Sequence, residues 1–253
     1  ANALAKKEDA ASPALRPAED RADATVMAKN SPEESGIAMR KIVRKYDYQK
    51  PPFDLLRGDR GGVFAITETL RGVLELEGLT PQHTVGILGV GFLGGKVLRH
   101  LRSLGFSSIV GIDPRVKERK SENEHVLLTS DPSLLQRCEV VLVLTGRGSD
   151  ITDSIQHLRE GVVVIDDTHP QLPAFLVAEI TRKGGRVYKA ALGLEGVRFF
   201  PEIPGYHAEW LHGCVIEALV ANGNTRLDSQ QEFDVKAKGV GFKPLFINSR
   251  GGG

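Results

Sequence analysis

The sequence is poor in cysteine, in net charge and in long apolar runs, and each shortage excludes a class of protein. Two cysteines in 253 residues cannot form a disulfide framework, so we expect a reducing compartment and a cytoplasmic protein. No apolar run approaches the roughly 18 residues that a membrane-spanning helix needs. With 33 basic and 32 acidic residues the net charge is +1, which gives no electrostatic reason to expect a nucleic acid or membrane partner.

The two ends of the chain differ in composition from its middle. Residues 1–30 are rich in alanine and mixed charge and contain no aromatic residue, which predicts a flexible arm. Residues 31–60 form a small segment in which Ser31 can cap a helix and Pro32 can take its first position. Residues 248–253 are predicted to be a loose tail.

Residues 61–247 alternate between short apolar runs and helical apolar stripes. Continuous apolar runs are typical of strands buried on both faces of a parallel sheet. The alternation therefore predicts an α/β fold, a doubly wound and mostly parallel Rossmann sheet with flanking helices and a returning C-terminal helix. The predicted strands are 84–90, 108–112, 126–128, 140–144, 162–165 and 186–190, and the predicted helices are 63–77, 96–104, 131–137, 150–159, 173–183 and 206–221, with a short extended piece at 241–247.

A glycine-rich turn separates the first predicted strand from the helix that follows it. Gly89, Gly91 and Gly94 stand in the spacing Gly-x-Gly-x-x-Gly, with Phe92 and Leu93 between the last two. In a dinucleotide site the first glycine allows the tight turn, the second lets a pyrophosphate approach the backbone, and the third lets helix and strand pack closely. The strand before and the helix after make this motif more specific than the spacing alone.

A carboxylate at the end of the second predicted strand bears on the choice of cofactor. Asp113 follows Gly94 by 19 residues, where a carboxylate accepts hydrogen bonds from an adenosine ribose and repels a 2′-phosphate. The prediction is therefore NAD. NADP stays open because Arg115 and three further basic residues could neutralise a 2′-phosphate, namely Lys117, Arg119 and Lys120. We expect no metal ion.

Few residues outside the glycine turn could carry chemistry. Cys214 lies about two turns into the predicted helix 206–221, and a thiol near a helix N-terminus can have a lowered pKa. His207 lies seven residues earlier on the same predicted helix, about 10 Å away by helical rise. His207 and His169 are candidate acid/base residues. The alternative for Cys214 is a buried structural thiol, which is also the interpretation of Cys138.

Two C-terminal segments carry a resemblance to a known family. They are Leu-His-Gly-Cys-Val-Ile-Glu-Ala at residues 211–218 and Gly-Phe-Lys-Pro-Leu at residues 241–245. Together they resemble the cyanobacterial-type long-chain acyl-(acyl-carrier-protein) reductases, in which such a helix motif carries the acylated cysteine. The wider superfamily includes shikimate-dehydrogenase-like and glutamyl-tRNA-reductase-like domains. The likeness extends loosely to residues 61–64, expected to be a turn before the first long helix.

The resemblance implies one chemistry, and the residues leave two others open. By resemblance, Cys214 attacks an acyl thioester and NAD(P)H reduces the acyl-enzyme to an aldehyde. In a second hypothesis a small carbonyl, imine or hydroxy substrate exchanges hydride with the cofactor without a covalent intermediate, and His169 or His207 is the acid/base. In a third, the chain is a dinucleotide-sensing or partner-binding module without full catalysis. The sequence leaves a homo-oligomer or a complex with a protein partner open under each hypothesis.

Overall fold

The computed structural model describes residues 58–117, 119–120, 125–198, 206–221 and 229–246. The predicted arm, most of the small helical segment and the predicted tail lie outside these described residues.

Helices and strands alternate along the described part of the chain. The α-helices are α1 (Asp59–Glu77), α2 (Phe92–Ser103), α3 (Ala174–Arg182), α4 (Gly213–Ala221) and α5 (Gln230–Val240). The strands are β1 (Val85–Leu88), β2 (Ile109–Ile112), β3 (Arg119–Lys120), β4 (Val126–Thr129), β5 (Val140–Val143), β6 (Val163–Asp166), β7 (Arg186–Lys189), β8 (Leu192–Gly193) and β9 (Lys243–Pro244). Two 3₁₀ segments cover Pro132–Arg137 and Gly148–His157.

Seven of these strands form one sheet in the order β3-β4-β2-β1-β5-β6-β7. All neighbours are parallel except β3, which runs antiparallel to β4. The chain fills the sheet outwards from β1 on one side and then returns to place β5 on the other. This is a Rossmann-type doubly wound sheet, and the predicted fold class is confirmed. Its topological switch point lies between β1 and β5, where ligands of such sheets bind.

The core occupies both faces of the sheet. Helices α1 and α2 cover one face, and α3 with the two 3₁₀ segments covers the other. Strands β1, β2, β5 and β6 are buried along their whole length. Burial on both faces is the reason these strands read as continuous apolar runs in the sequence.

A third apolar cluster joins α1 to the C-terminal helices α4 and α5. Gly61 and Gly62 lie inside α1, so the expectation of a turn at residues 61–64 is wrong. The reason is the close crossing of α4, because a Cβ on Gly61 would lie 1.9 Å from the Gly213 carbonyl oxygen. The buried carboxylate of Glu217 accepts hydrogen bonds from the backbone N–H groups of Arg60 (2.9 Å) and Gly61 (3.2 Å). Glu217 therefore caps α1 from a distant part of the chain.

The returning helix is shorter than predicted. It begins at Gly213 rather than near residue 206, because Leu211 forms an antiparallel bridge with Leu192 of β8. Cys214 is consequently the second residue of α4, and His207 does not share a helix with it. Helix α5 was not predicted, although Ser229 and Glu232 form a reciprocal capping box at its start.

Candidate functional site

In the turn between β1 and α2, two of the three glycines are needed because a side chain would clash with the backbone there. Gly89 has φ +91°, and a Cβ there would lie 2.8 Å from the Leu144 carbonyl oxygen. At Gly94 an added Cβ would lie 2.0 Å from the Gly89 carbonyl oxygen. At Gly91, by contrast, an added Cβ would meet a guanidinium nitrogen of Arg115 at 3.4 Å. The backbone at Gly91 is therefore open where a ligand could approach it.

Helix α2 begins directly behind this opening. Its N-cap is Gly91 in an extended conformation, and within the described part of the chain no side chain caps the helix. The first turn of an α-helix presents backbone N–H groups and the positive end of the helix dipole, which favour a phosphate. Phe92 and Leu93 are the first two residues of α2, so their backbone N–H groups lie in this first turn.

Asp113 and Arg115 form a tight pair beyond the end of β2. The Asp113 side chain is 4% exposed, and the Arg115 side chain is 71% exposed. The backbone N–H and Nε–H of Arg115 donate to Asp113 Oδ1, both at 3.0 Å, and Nη2 donates to Oδ2 at 3.1 Å. These hydrogen bonds from Arg115 lower the pKa of Asp113 below its usual value, and burial opposes them. The carboxylate is thus ionised beside an exposed guanidinium.

A cluster of rings follows β6 on the other side of the switch point. His169 Nδ1 lies 2.7 Å from the Tyr206 hydroxyl oxygen, and the two rings stack at 5.4 Å between centroids. The His212 ring meets both rings edge-on, at 4.8 and 5.1 Å. Burial, and then the charge of Asp166, raise the pKa of Tyr206. The Tyr206 hydroxyl is therefore protonated at neutral pH, and one of the predicted acid/base residues lies in a polar, partly buried cluster.

His207 lies elsewhere, on an exposed part of the chain. Its ring packs against Trp210 with centroids 6.1 Å apart, and its Nδ1 accepts a hydrogen bond from the Glu209 backbone N–H at 3.3 Å. The structure therefore brings His169 together with Tyr206 and His212, and places His207 on the surface.

The two cysteines occupy different environments. Cys214 is 4% exposed in the first turn of α4, and its Cβ would lie 3.0 Å from a Cβ added to Gly58. Its neighbour Glu217 faces the N-terminus of α1. Burial raises the pKa of Cys138 to about 12, and its thiol contacts the Leu134 carbonyl oxygen at 3.6 Å. Cys138 is therefore unreactive near neutral pH, which agrees with its predicted structural role.

Three residues of this region were not predicted from the sequence. They are Tyr206 and His212, which complete the ring cluster, and Lys189, which is buried below it. Only Lys189 carries a signal in the sequence, since a lysine at the end of a buried apolar strand is unusual. Among the residues that the structure describes, no set of three metal-ligating side chains is grouped to hold a metal ion, and no helix is long and apolar enough to cross a membrane.

Comparison with known proteins gives one partial match by sequence. No family model matches the chain. Over 135 residues the chain is 30% identical to erythronate-4-phosphate dehydrogenase of Pseudomonas fluorescens, which amounts to 49% of this chain and 34% of that enzyme. The chain thus spans about a third of the length of this curated relative. The relative is a dehydrogenase, not the acyl-(acyl-carrier-protein) reductase that the C-terminal segments predict.

Solved structures give more distant likenesses. One is a D-isomer specific 2-hydroxyacid dehydrogenase from Xanthobacter autotrophicus with NADPH, at 21% identity and a TM-score of 0.38, covering 59% of this chain and 69% of that one. Another is shikimate 5-dehydrogenase from Listeria monocytogenes with shikimate and NAD, at 14% identity and a TM-score of 0.37, covering 50% and 52%. The fold of this chain is established by its own strand order.

Proposed function

We propose that this chain binds a nicotinamide dinucleotide across the carboxyl edge of its sheet and exchanges hydride between it and a small oxo or hydroxy substrate. One observation carries the proposal. The glycine turn lies at the switch point, Asp113 follows β2 on one side of it, and His169 follows β6 on the other. A dinucleotide lying across this edge would have its adenosine near Asp113 and its nicotinamide half near His169.

The residues present fit such a cofactor. The open backbone at Gly91 and the N-terminus of α2 would hold the pyrophosphate. The ionised Asp113 carboxylate would accept hydrogen bonds from the ribose, which favours NAD. The guanidinium of Arg115, paired with that carboxylate and exposed, could also face a 2′-phosphate, so NADP is accepted as the weaker cofactor.

His169 is the proposed acid/base residue. When bound, the nicotinamide supplies or accepts the hydride at the substrate carbon. In reduction, His169 gives a proton to the substrate oxygen, and in oxidation it takes that proton back. The Nδ1–H of His169 can donate to the Tyr206 hydroxyl oxygen, 2.7 Å away. Nε2 would then hold the transferred proton, which the imidazolium gives up in reduction and the neutral imidazole accepts in oxidation.

The partial sequence match supports a dehydrogenase of this kind. Erythronate-4-phosphate dehydrogenase acts on a hydroxy compound, and the matched 135 residues make up about half of this chain. We infer that the substrate is likewise a small hydroxy acid or its oxo counterpart.

The second candidate is reduction of an acyl thioester through Cys214. Its support is the place of Cys214 in the first turn of α4, where the helix N-terminus favours a thiolate. The thiolate would attack the thioester carbonyl and release the carrier thiol. Reduction of the resulting thioester by hydride would give an aldehyde and return the thiolate.

One experiment separates the two candidates. We expect the protein to oxidise NADH in the presence of glyoxylate, pyruvate or 3-hydroxypyruvate, and Cys214→Ser to keep this turnover. Cys138→Ser serves as the matched control. The proposal is wrong if these acids give no turnover while palmitoyl-CoA, supplied without NADH, leaves an acyl adduct that mass spectrometry locates on residues 212–217. Tight NADH binding with neither reaction would instead indicate a sensing module.

Asp113→Ala is expected to weaken NADH binding more than NADPH binding. The substitution removes the ribose acceptor and releases Arg115 to face a 2′-phosphate. A hydrogen bond to a charged group contributes about 1.5–3 kcal/mol, so calorimetric titration should show NADH binding weakened about tenfold to 100-fold. The matched variant Arg115→Ala should weaken NADPH more than NADH. Equal losses for both cofactors in Asp113→Ala would remove this carboxylate from the ribose site.

A further inference from the structure

A buried ion pair lies below the turn that carries His169. Asp166 and Lys189 end the neighbouring strands β6 and β7 and face each other in the strand register. They are 3% and 4% exposed. Lys189 Nζ lies 3.4 Å from Asp166 Oδ2 and donates a hydrogen bond to the Thr168 carbonyl oxygen at 2.7 Å.

The Asp166 carboxylate holds the same turn at two further points. Its Oδ1 accepts hydrogen bonds from the Thr168 backbone N–H at 2.8 Å and from the Thr168 hydroxyl at 2.6 Å. Its Oδ2 accepts a hydrogen bond from the Leu172 backbone N–H at 3.0 Å. Thr168, the residue immediately before His169, is therefore held through its N–H, its hydroxyl and its carbonyl oxygen.

Three inner strands of the sheet end in apolar residues instead, and β4 ends in the uncharged Thr129. The last residues of β1, β2 and β5 are the apolar residues Leu88, Ile112 and Val143. Burial of a charged pair is costly, and well-packed apolar side chains often stabilise a core as well or better. Stability of the sheet alone therefore does not account for Asp166 and Lys189 at this place.

Empty space adjoins the pair. Asp166, Leu172, Tyr188 and Lys189 are among the residues that line a cavity at the edge of the sheet. The turn is also held by a hydrogen bond from the Gly148 backbone N–H to the Pro170 carbonyl oxygen at 2.9 Å. The cavity leaves space beside Asp166, so the turn can shift toward it once the charged hydrogen bonds are lost.

We propose that Lys189, acting through Asp166 and Thr168, is a positioning residue that fixes the direction of the His169 imidazole toward Tyr206. This inference rests on the proposed function for its effect on rate, since His169 is the proton donor there. The pair itself does not touch the reacting atoms. Its role is to give His169 one orientation before substrate binds.

The first test measures the ring of His169 directly and needs no turnover. In Lys189→Met, nitrogen NMR of the imidazole should show a changed Nδ1 signal, because the hydrogen bond between Nδ1 and the Tyr206 hydroxyl is lost or weakened. The signal is assigned by its absence in His169→Gln. The matched control is Lys183→Met, because Lys183 Nζ also donates to backbone carbonyls, those of Ile155 and Gln156, at 3.0 and 3.3 Å. An unchanged Nδ1 signal in Lys189→Met overturns the proposal.

The second test is a double-mutant cycle on turnover. Lys189→Met should lower kcat about tenfold to 100-fold, the size expected for a displacement of ~1 Å, with the Kd for NADH unchanged. Added to His169→Gln, the same substitution should cost no further rate, because its effect passes through the missing imidazole. An equal loss in both backgrounds would indicate a general structural role and overturn the proposal. Full rate in His169→Gln would instead overturn the proposed function, whatever the NMR result.

A second variant keeps the test decisive if Lys189→Met does not fold. Thr168→Val removes the hydroxyl that donates to Asp166 and leaves the buried ion pair and the backbone hydrogen bonds in place. It should change the Nδ1 signal in the same direction and lower kcat by a smaller factor. A native signal and native kcat in folded Thr168→Val would overturn the proposal.

Discussion

Gly91→Val is expected to abolish NADH binding while leaving the protein folded. The backbone at Gly91 has φ −77° and ψ −151°, a conformation with negative φ rather than the left-handed one that favours glycine. An added Cβ meets only the end of the flexible Arg115 side chain, at 3.4 Å. The valine would nevertheless occupy the space where the pyrophosphate approaches the turn. Calorimetry should show binding weakened by more than about 100-fold, or about 2.8 kcal/mol, with Tm close to that of the native protein.

Two neighbouring glycines provide the controls. Gly95→Ala places a Cβ 3.7 Å from its nearest neighbour, the Arg99 guanidinium, inside the same helix. It should keep native affinity and stabilise α2 by up to about 1 kcal/mol. Gly94→Ala should lower Tm, because its Cβ would lie 2.0 Å from the Gly89 carbonyl oxygen. If Gly91→Val binds NADH like the native protein, the pyrophosphate does not cross this turn.

His169→Gln is expected to lower kcat for NADH-dependent reduction of the oxo acid by about 10²–10⁴-fold, the usual contribution of a general acid or base. Glutamine keeps a polar group of similar size facing Tyr206, but its amide cannot act as a general acid or base at neutral pH. The Kd for NADH should stay native, since the glycine turn belongs to another element. Steady-state kinetics and calorimetry on the same preparation measure both quantities.

His207→Gln is the matched control for this experiment. The exposed His207 packs against Trp210, so its loss should leave kcat unchanged. Full rate in His169→Gln would leave the proposed mechanism without its proton donor. A large loss in His207→Gln with none in His169→Gln would move the acid/base role to the surface histidine.

The strands of the sheet could be predicted from the sequence because each of them has a recognisable local pattern. Strands buried on both faces give unbroken apolar runs, and the steric needs of Gly89 and Gly94 appear directly as glycines. The six predicted strands agree with the observed ones within one or two residues at each end, whereas the two-residue strands β3 and β8 were not predicted. Asp113 was predicted in the same way, from its place at the end of a strand, and its role at a ribose stays a prediction.

The C-terminal region could not be predicted so well because tertiary contacts override its local pattern. Residues 206–212 read as helix, yet Leu211 pairs with Leu192 on β8. Gly61 and Gly62 read as helix breakers, yet they lie within α1 because α4 crosses it closely. Helix α5 buries few side chains, among them Phe233 and Ala237, so its apolar stripe is weak. Its capping box is therefore the main signal for this helix in the sequence.

In the candidate site, too, some features follow from the local sequence and others depend on tertiary contacts. His169 could be named as a candidate from its place after a buried strand, but its partner Tyr206 lies 37 residues further along the chain. The link between them depends on the path of residues 206–212, which was predicted wrongly as helix. Pairings of this kind are set by the fold as a whole and leave no mark in local sequence.

The cap on α1 has a consequence for how the chain reaches its native state. Glu217 follows Gly61 by 156 residues, so α1 gains its cap only after synthesis has passed residue 217. Contacts of such long range close large loops and form slowly compared with local ones. Completion of α1 is therefore a late event, and in a nascent chain that ends before α4 the N–H groups of Arg60 and Gly61 are hydrogen-bonded by water instead.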